Sequence, residues 1–190
     1  AAQFPLLLQA AFVLGLVLAA GAVLRWRTDA VRAVRTAVVL AHVAAFPVAA
    51  VQSECSLLSR APDLGLVQAC AELGVAMVAF SPVGRSLLTD NPIPRERLVT
   101  LPFMRANPRF MEPNLTENLR IMQGCRALAA EMGTSAAALA NAWLLTRGPH
   151  VLPIPGTRSV AHLRECVAGA ELNLSQTDLD RIDAVLPVGW

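Results

Sequence analysis

The sequence of 190 residues contains neither tyrosine nor lysine, and only 5% of it is aromatic. A chain without a phenol cannot use tyrosine as a proton donor. All sixteen cationic residues are arginines, and they are spread along the chain, with fourteen acidic residues beside them. No basic patch of the kind that binds nucleic acid is present, so we expect no nucleic-acid partner.

Charged residues are also scarce, at 16% of the chain, whereas hydrophobic residues make up 55%. Ordinary soluble domains have about 45–50% apolar and about 25% charged residues. The composition therefore predicts a segment that is lipid-facing or unusually buried. The length favours one domain and falls short of the roughly 250 residues of a closed (β/α)₈ barrel.

Cysteine is sparse, and the cysteines form no C-x-x-C pair and no metal-ligand spacing with the three histidines. We expect reduced, mostly buried thiols and no metal site. Reduced thiols are typical of a cytoplasmic protein. The four residues are Cys55, Cys70, Cys125 and Cys166.

Residues 1–27 form an apolar segment that is expected to be separate from residues 28–190. No charge occurs before Arg25, and residues 4–24 approach the roughly 20 residues that span a bilayer. Arg25, Trp26 and Arg27 then resemble a cytoplasmic flank. One interpretation is an apolar helix that contacts or crosses the membrane and leaves the remainder in the cytoplasm. A buried or mis-started segment is the open alternative, and the absence of a basic stretch before it argues against a cleaved signal peptide.

Hydrophobic periodicity predicts alternating helices and strands, which is typical of a parallel α/β fold, either an open sheet or a barrel. Strands are expected at 48–51, 75–80 and 151–154, and helices at 29–45, 63–73, 115–132, 135–146, 160–168 and up to 185.

Local signals mark the ends of several predicted helices. Gly74 is expected to cap the helix before the second strand. Asn114 with Glu117 resembles a capping box, Thr134 is expected to cap the next helix, and Ser175-x-x-Asp178 the last one. Residues 84–113, rich in proline, are predicted to be a long loop that acts as a lid or is disordered.

Ligands of parallel α/β proteins bind beyond the carboxyl ends of the strands. Residues 52–54 follow the first predicted strand, residues 81–85 the second, and residues 155–158 the third. The last turn has the clearest chemistry. Gly156 permits close approach of the backbone, and Thr157 and Arg158 before a helix can hold a phosphate.

Four separated motifs stand out along the chain. They are residues 51–57 (VQSECSL), 78–85 (VAFSPVGR), 140–145 (ANAWLL) and 154–159 (IPGTRS), followed by His162 and Glu165. Together they resemble the second half of the aldo-keto reductase family, in the same order and spacing, over about residues 48–183.

This resemblance implies the C-terminal part of a (β/α)₈ TIM-type barrel with parallel strands, a partial barrel that binds NADPH in an extended pose. It implies that Gln52 holds the nicotinamide carboxamide and that Phe80 stacks on that ring. It further implies that Ser81, Val83, Gly84 and Arg85 line the pyrophosphate, that Gly156, Thr157 and Arg158 meet the 2′-phosphate, and that His162 and Glu165 lie beside adenine. Ordinary structural roles for Gln52 and Arg158, as a strand cap and a solvated cation, remain open.

The sequence also departs from the family pattern. Cys55 and Phe80 occupy positions where tyrosine is common, and Cys166 replaces an asparagine that contacts adenine, which removes a hydrogen-bond donor and acceptor. In this family carbonyls are reduced by hydride transfer, with a tyrosine proton donor tuned by lysine, aspartate and histidine from the first half of the barrel. No catalytic residue is therefore predicted here.

Three hypotheses follow from the resemblance and its departures. The first is an incomplete NADP(H)-dependent oxidoreductase of carbonyls. The others are a non-catalytic NADPH-binding module, tethered to a membrane or free, and a truncated, non-functional fragment. An incomplete barrel leaves sheet edges open, which favours self-association.

Overall fold

The computed structural model describes residues 33–38, 48–98 and 100–186. The chain divides into two units, Ala1–Val48 and Ala49–Trp190. In the first unit, residues 33–38 are helical, inside the predicted helix 29–45. The apolar segment 4–24 and the predicted boundary after residue 27 lie outside the described residues. Within the described ranges, no helix combines the length and apolarity needed to cross a membrane.

Three parallel strands form the sheet of the second unit, in the order in which they occur along the chain. They are β1 (Ala50–Glu54), β2 (Ala76–Phe80) and β3 (Val151–Ile154). The predictions for β2 and β3 are confirmed. A sheet of sequential parallel strands joined through helices is the α/β architecture that the periodicity indicates.

The first strand was predicted over 48–51, and this position is wrong. Gln52 pairs with Val78 and Glu54 pairs with Phe80, so both polar residues lie inside β1 and not beyond it. Backbone groups make the hydrogen bonds between strands, and polar side chains therefore do not end a strand when the neighbouring backbone continues.

Alternate residues of the strands face opposite sides of the sheet. Met77, Ala79 and Val151 are buried on the helix-covered side. On the other side, Leu152 and Ile154 of β3 are about half exposed, at 49% and 46%.

Five helices of eight or more residues pack in the described part of this unit. The first was predicted as one helix over 63–73. Instead, a 3₁₀ turn (Ala61–Leu64) precedes the α-helix, and Gly65, with φ at 141°, separates the two. Gly74 caps this helix with φ at 65°, as predicted. The helices are α1 (Leu66–Leu73), α2 (Asn114–Glu131), α3 (Ala136–Leu145), α4 (Val160–Ala168) and α5 (Gln176–Val185).

Two predicted N-terminal helix caps are wrong and one is confirmed. Asn114 lies inside α2, where its amide donates to the carbonyl of Pro108 at 3.1 Å instead of closing a capping box. Ser135 caps α3 in place of Thr134, because its hydroxyl accepts from the backbone N–H of Ala138 at 3.1 Å. The capping box of Ser175 and Asp178 is present at the start of α5.

The described residues between Gly84 and Pro113 form short helical turns and no long element. They send Leu87, Leu88, Leu98 and Phe110 into the core, each at most 1% exposed. Apolar side chains therefore anchor the segment in the core. This anchoring was not predicted, because the many prolines leave no sustained hydrophobic period in the sequence. The turns are Gly84–Ser86, Arg95–Leu98, Pro102–Arg105 and Pro108–Phe110.

Helix α3 is the most buried helix of the unit, with Trp143 at 1% exposure as the largest enclosed side chain. Its run of alanines allows α4 to approach closely, since a Cβ at Gly169 would lie 2.6 Å from the carbonyl oxygen of Ala138. All four cysteines are free and buried, which confirms the prediction of buried thiols.

Candidate cofactor site

The carboxyl ends of the three strands meet at one edge of the sheet. Glu54, Phe80 and Ile154 lie side by side in register as the last residues of β1, β2 and β3. The turns that follow therefore start from adjacent points. Residues 81–85 and 155–158, far apart in sequence, are brought together by this parallel register.

The turn after β2 has an unusual backbone. Ser81, Arg85 and Ser86 have positive φ angles of 55°, 55° and 80°, and Gly84 has 57°. Left-handed conformations are uncommon for residues other than glycine, and they concentrate at functional sites. Gly84 is required for a second reason, because a Cβ there would lie 2.5 Å from Cδ1 of Leu58.

A cavity of about 430 Å³ opens beside this turn. Its volume is within the usual range for small-molecule and cofactor sites. Seven of the eleven residues that the sequence nominated lie in its wall: Ser81, Val83, Arg85, Gly156, Thr157, His162 and Glu165.

The other four nominated residues do not line this cavity. Gln52 is exposed on β1, two residues before the end of the strand, and Phe80 is half-buried at the end of β2. Gly84 is buried in the turn, while Arg158 is exposed beside Thr157. Their roles toward the nicotinamide, the pyrophosphate and the 2′-phosphate stay predictions.

The turn after β3 leads directly into the start of α4. The hydroxyl of Thr157 accepts from the backbone N–H of Ser159 at 3.1 Å, and the hydroxyl of Ser159 caps the helix through the N–H of His162 at 3.4 Å. His162 and Glu165, on the first turns of α4, thus line the cavity together with Gly156. The N-terminus of a helix favours bound anions.

Several cavity residues were missed by sequence reasoning. Cys166 was noted only as a departure from the family pattern, yet it is buried at the cavity wall, and burial raises the pKa of its thiol. The polar residues just after the β2 turn were a signal that could have been used. The missed residues are Pro82, Ser86, Thr89, Asn91, Ile93, Met104, Ala137, Ile154 and Cys166.

Glu54 at the end of β1 is the centre of an ionic cluster next to this wall. Its Oε1 accepts from Nη1 of Arg109 at 2.7 Å and from the hydroxyl of Ser59 at 2.9 Å, and its Oε2 accepts from Nη2 of Arg85 at 3.4 Å. Burial raises the pKa of Glu54, but the hydrogen bonds from Arg109 and Ser59 and the two arginine charges outweigh it and lower the pKa below its usual value.

Arg85 connects this cluster to the cavity. Its guanidinium carbon lies 4.3 Å from the centroid of the Phe103 ring, and its side chain is 24% exposed. Its Nε is buried and has no hydrogen-bond partner among the described residues. Leaving a buried donor without a partner is costly. Arg85 also lines the cavity, and the exposed part of its guanidinium is what a bound anion can reach.

No group of three or more histidine, cysteine or acidic side chains in the described part of the chain could hold a metal ion. His150 contacts the carbonyl oxygen of Val67 through Nε2 at 2.9 Å. His42 lies outside the described residues.

Residues 26–187 match the sequence model of the Aldo/keto reductase family. The chain belongs to this family. A probable aldo-keto reductase of Glycine max is 36% identical over 143 residues, which are 75% of this chain and 41% of the soybean protein. The chain thus spans less than half the length of this curated aldo-keto reductase.

Solved aldo-keto reductase structures agree with the fold. A thermostable aldo-keto reductase, crystallised with the inhibitor epalrestat, superposes with a TM-score of 0.52 at 25% identity, over 73% of this chain and 40% of that protein. The glycerol dehydrogenase of Gluconobacter oxydans has a TM-score of 0.63 at 21% identity, covering 85% and 46%. The predicted family and the predicted part of a parallel-stranded (β/α)₈ barrel are confirmed.

Proposed function

We propose that this chain binds NADPH at the carboxyl ends of its strands and forms the nucleotide-holding part of an NADP(H)-dependent carbonyl oxidoreductase. The main support is the cavity, whose wall contains seven of the residues nominated from the family motifs. Membership of the aldo-keto reductase family makes a nicotinamide dinucleotide the natural ligand.

The residues present fit an anionic dinucleotide. Arg85 lines the cavity with a side chain that is 24% exposed, and its guanidinium suits a pyrophosphate oxygen. In the same cavity wall, Gly156 and Thr157 precede α4, whose N-terminus attracts negative charge. Arg158 is exposed next to them and is available to the adenosine 2′-phosphate. His162 and Glu165 would then lie beside adenine.

At the other end of the ligand, Gln52 and Phe80 would hold the nicotinamide. They occupy neighbouring strands and belong to the same face of the sheet, because Gln52 pairs with Val78, two residues before Phe80. The amide of Gln52 is exposed and can exchange two hydrogen bonds with a carboxamide. When bound, the nicotinamide supplies hydride transfer.

The residues in this chain do not include the proton donor of that chemistry. Without tyrosine or lysine in its 190 residues, the chain cannot assemble a tyrosine whose pKa is tuned by a lysine. We therefore propose that these residues on their own bind NADPH and do not reduce carbonyls. A non-catalytic NADPH-binding module is the alternative that this composition favours.

Titration with NADPH, followed by the fluorescence of the reduced nicotinamide, tests this proposal. We expect saturable binding and no oxidation of NADPH when aldehydes or ketones are added. Turnover would contradict the catalytic part of the proposal. Absence of binding by a cooperatively folded chain would contradict all of it and favour a non-functional fragment. Glu131→Gln, which alters an exposed pair with Arg181, is a control that should bind like the wild type.

We also propose that the nucleotide-binding part lies in the cytoplasm, which its four free, buried cysteines support. Self-association and membrane contact through residues 4–24 belong to the same proposal. Sedimentation velocity would detect the first. Partitioning of residues 1–27 fused to a reporter would detect the second, and a reporter that stays in the aqueous phase would contradict it.

A further inference from the structure

The two carboxylate oxygens of Glu54 have different partners. Oε1 binds Arg109 and Ser59 at 2.7 Å and 2.9 Å, while Oε2 has the longer contact, 3.4 Å, with Arg85. The cluster joins three parts of the chain, namely the end of β1, the turn after β2 and the turn Pro108–Phe110. One negative charge is thus shared by two arginines, which leaves the trio with a net positive charge.

Arg109 is held firmly in this arrangement. Its carbonyl oxygen accepts from the amide of Asn118 at 2.7 Å, and its backbone N–H donates to the side chain of Asn107 at 3.0 Å. Asn118 is 3% exposed and belongs to α2. Arg109 therefore supplies a fixed counter-charge that keeps Glu54 ionised, and the second carboxylate oxygen remains for Arg85.

Arg85 has a long side chain that would sample many rotamers if it were free. Two contacts restrain it, the carboxylate of Glu54 and the ring of Phe103. Neither contact uses Nε, which has no hydrogen-bond partner among the described residues. The guanidinium is consequently oriented before any ligand arrives.

We propose that Glu54 is a positioning residue that holds the guanidinium of Arg85 at the cavity, ready for the pyrophosphate of the dinucleotide. The inference rests on the proposed function and extends it to a residue that does not line the cavity. Glu54 accepts from only one of the five N–H donors of Arg85, through a long contact of 3.4 Å. It therefore orients the side chain and leaves other donors of the guanidinium for a ligand. Preorganised groups bind more tightly because less side-chain freedom is lost on binding.

A competing effect would have the opposite sign. If Glu54 mainly occupied Arg85 and repelled phosphate, its neutralisation would tighten binding. The positioning role predicts that Glu54→Gln weakens binding by about three- to tenfold, the value of one immobilised long side chain. The loss should be equal for NADPH and NADH, since both carry the pyrophosphate.

The first measurement concerns the full chain without nucleotide. Nitrogen relaxation of the Arg85 Nε–H group reports whether the side chain is ordered. We expect an ordered side chain in the wild type and in Glu131→Gln, and a mobile one in Glu54→Gln. Equal mobility of Arg85 in the wild type and Glu54→Gln would overturn the proposal whatever the nucleotide does.

The second measurement is a double-mutant cycle for NADH and NADPH binding. Glu54→Gln should weaken binding when Arg85 is present and change it by less than about twofold in the Arg85→Ala background, because the residue acts through Arg85. Equal losses in both backgrounds would show a merely structural role, and tighter binding by Glu54→Gln would show competition. Either result overturns the proposal.

Two further outcomes separate the inference from the proposed function. If Glu54→Gln does not fold, Glu54→Asp is the second variant. It keeps the negative charge beside Arg109, but its side chain is one methylene shorter, so its carboxylate no longer reaches Arg85. We expect Arg85 to become mobile in this variant too. If the wild type binds no dinucleotide while Glu54→Gln mobilises Arg85, the proposed function falls and the positioning of Arg85 by Glu54 stands.

Discussion

The guanidinium of Arg60 lies over the ring of the buried Trp143, 4.9 Å from its centroid. Arg147 contacts the same ring at 4.6 Å. Asp63 lies 3.5 Å from Arg60 and 3.8 Å from Arg147, so a single carboxylate serves both cations. Arg60 also binds Asp183 of α5 at 2.6 Å. The ring of Trp143 is therefore a contact point for residues from the loop after β1 and the end of α3.

Arg60→Ala should lower the free energy of unfolding by about 2 kcal/mol, because it removes a cation–π contact and several hydrogen bonds together. Asp183→Asn removes only the contact with a carboxylate that is 47% exposed, and exposed ion pairs contribute about 1 kcal/mol or less. Urea denaturation of both variants measures the difference. Similar losses would mean that stacking on Trp143 contributes little.

Gly84→Ala should destabilise the protein by about 2–4 kcal/mol. The new Cβ combines the cost of a left-handed backbone with an overlap against Leu58. Gly133→Ala is the matched control, because its φ is 69° but nothing lies within 4 Å of the added atom, so only the backbone cost of about 1 kcal/mol is expected. Equal shifts of the urea midpoint in Gly84→Ala and Gly133→Ala would show that the overlap with Leu58 costs no stability.

Ser135→Ala should cost about 1 kcal/mol, since the cap of α3 loses its bond to the N–H of Ala138. Thr134→Ala should cost only a few tenths of a kcal/mol, because Ser135 is the residue that caps α3. Thermal unfolding of the two variants would decide between the caps. A larger loss of stability in Thr134→Ala than in Ser135→Ala would show that Thr134 caps α3, as the sequence predicted.

Stability should fall at alkaline pH because of the buried thiols. Burial raises the pKa of Cys125 to about 11 and that of Cys55 to about 12. Below pH 9, the ordinary value, these thiols are protonated in both the folded and the unfolded chain, and their full contribution is present. As the pH rises through 9 toward the folded values, only the unfolded chain releases protons, so stability is lost.

Cys125→Ala isolates one of these thiols. Between pH 8 and pH 10 the wild type should lose about 1.4 kcal/mol more unfolding free energy than the variant, the value of one unit of pKa difference. Urea titrations at the two pH values give the comparison. Parallel losses in the two proteins would show that Cys125 titrates normally.

Arg158→Ala should weaken NADPH binding by about tenfold or more and leave NADH nearly unchanged, because only NADPH carries the 2′-phosphate and a charged hydrogen bond contributes about 1.5–3 kcal/mol. Arg164→Ala, which removes an exposed arginine on α4, is the control for a general loss of positive charge. Fluorescence titration with both nucleotides is the measurement. Equal losses for NADPH and NADH in Arg158→Ala would remove the 2′-phosphate assignment.

Local sequence signals predicted a large part of the fold. The bounds of β3 and α4 agree with the apolar runs that predicted them, and α5 begins at the capping box of Ser175 and Asp178. These features depend on residues a few positions apart, whose preferences act within one turn or one strand. The motifs also nominated seven of the sixteen residues in the cavity wall, because the turns after β2 and β3 are short, continuous stretches.

The sequence by itself determined the family, the order of strands and helices, and the absence of a phenol and an ammonium group for proton transfer. Only the tertiary structure decided the extent of β1, which follows the backbone of β2 through Gln52 and Glu54. It also decided the contact of Glu54 with Arg109, 55 positions away. Such contacts depend on how strands and turns pack together, and a pattern of neighbouring residues contains no information about partners so distant.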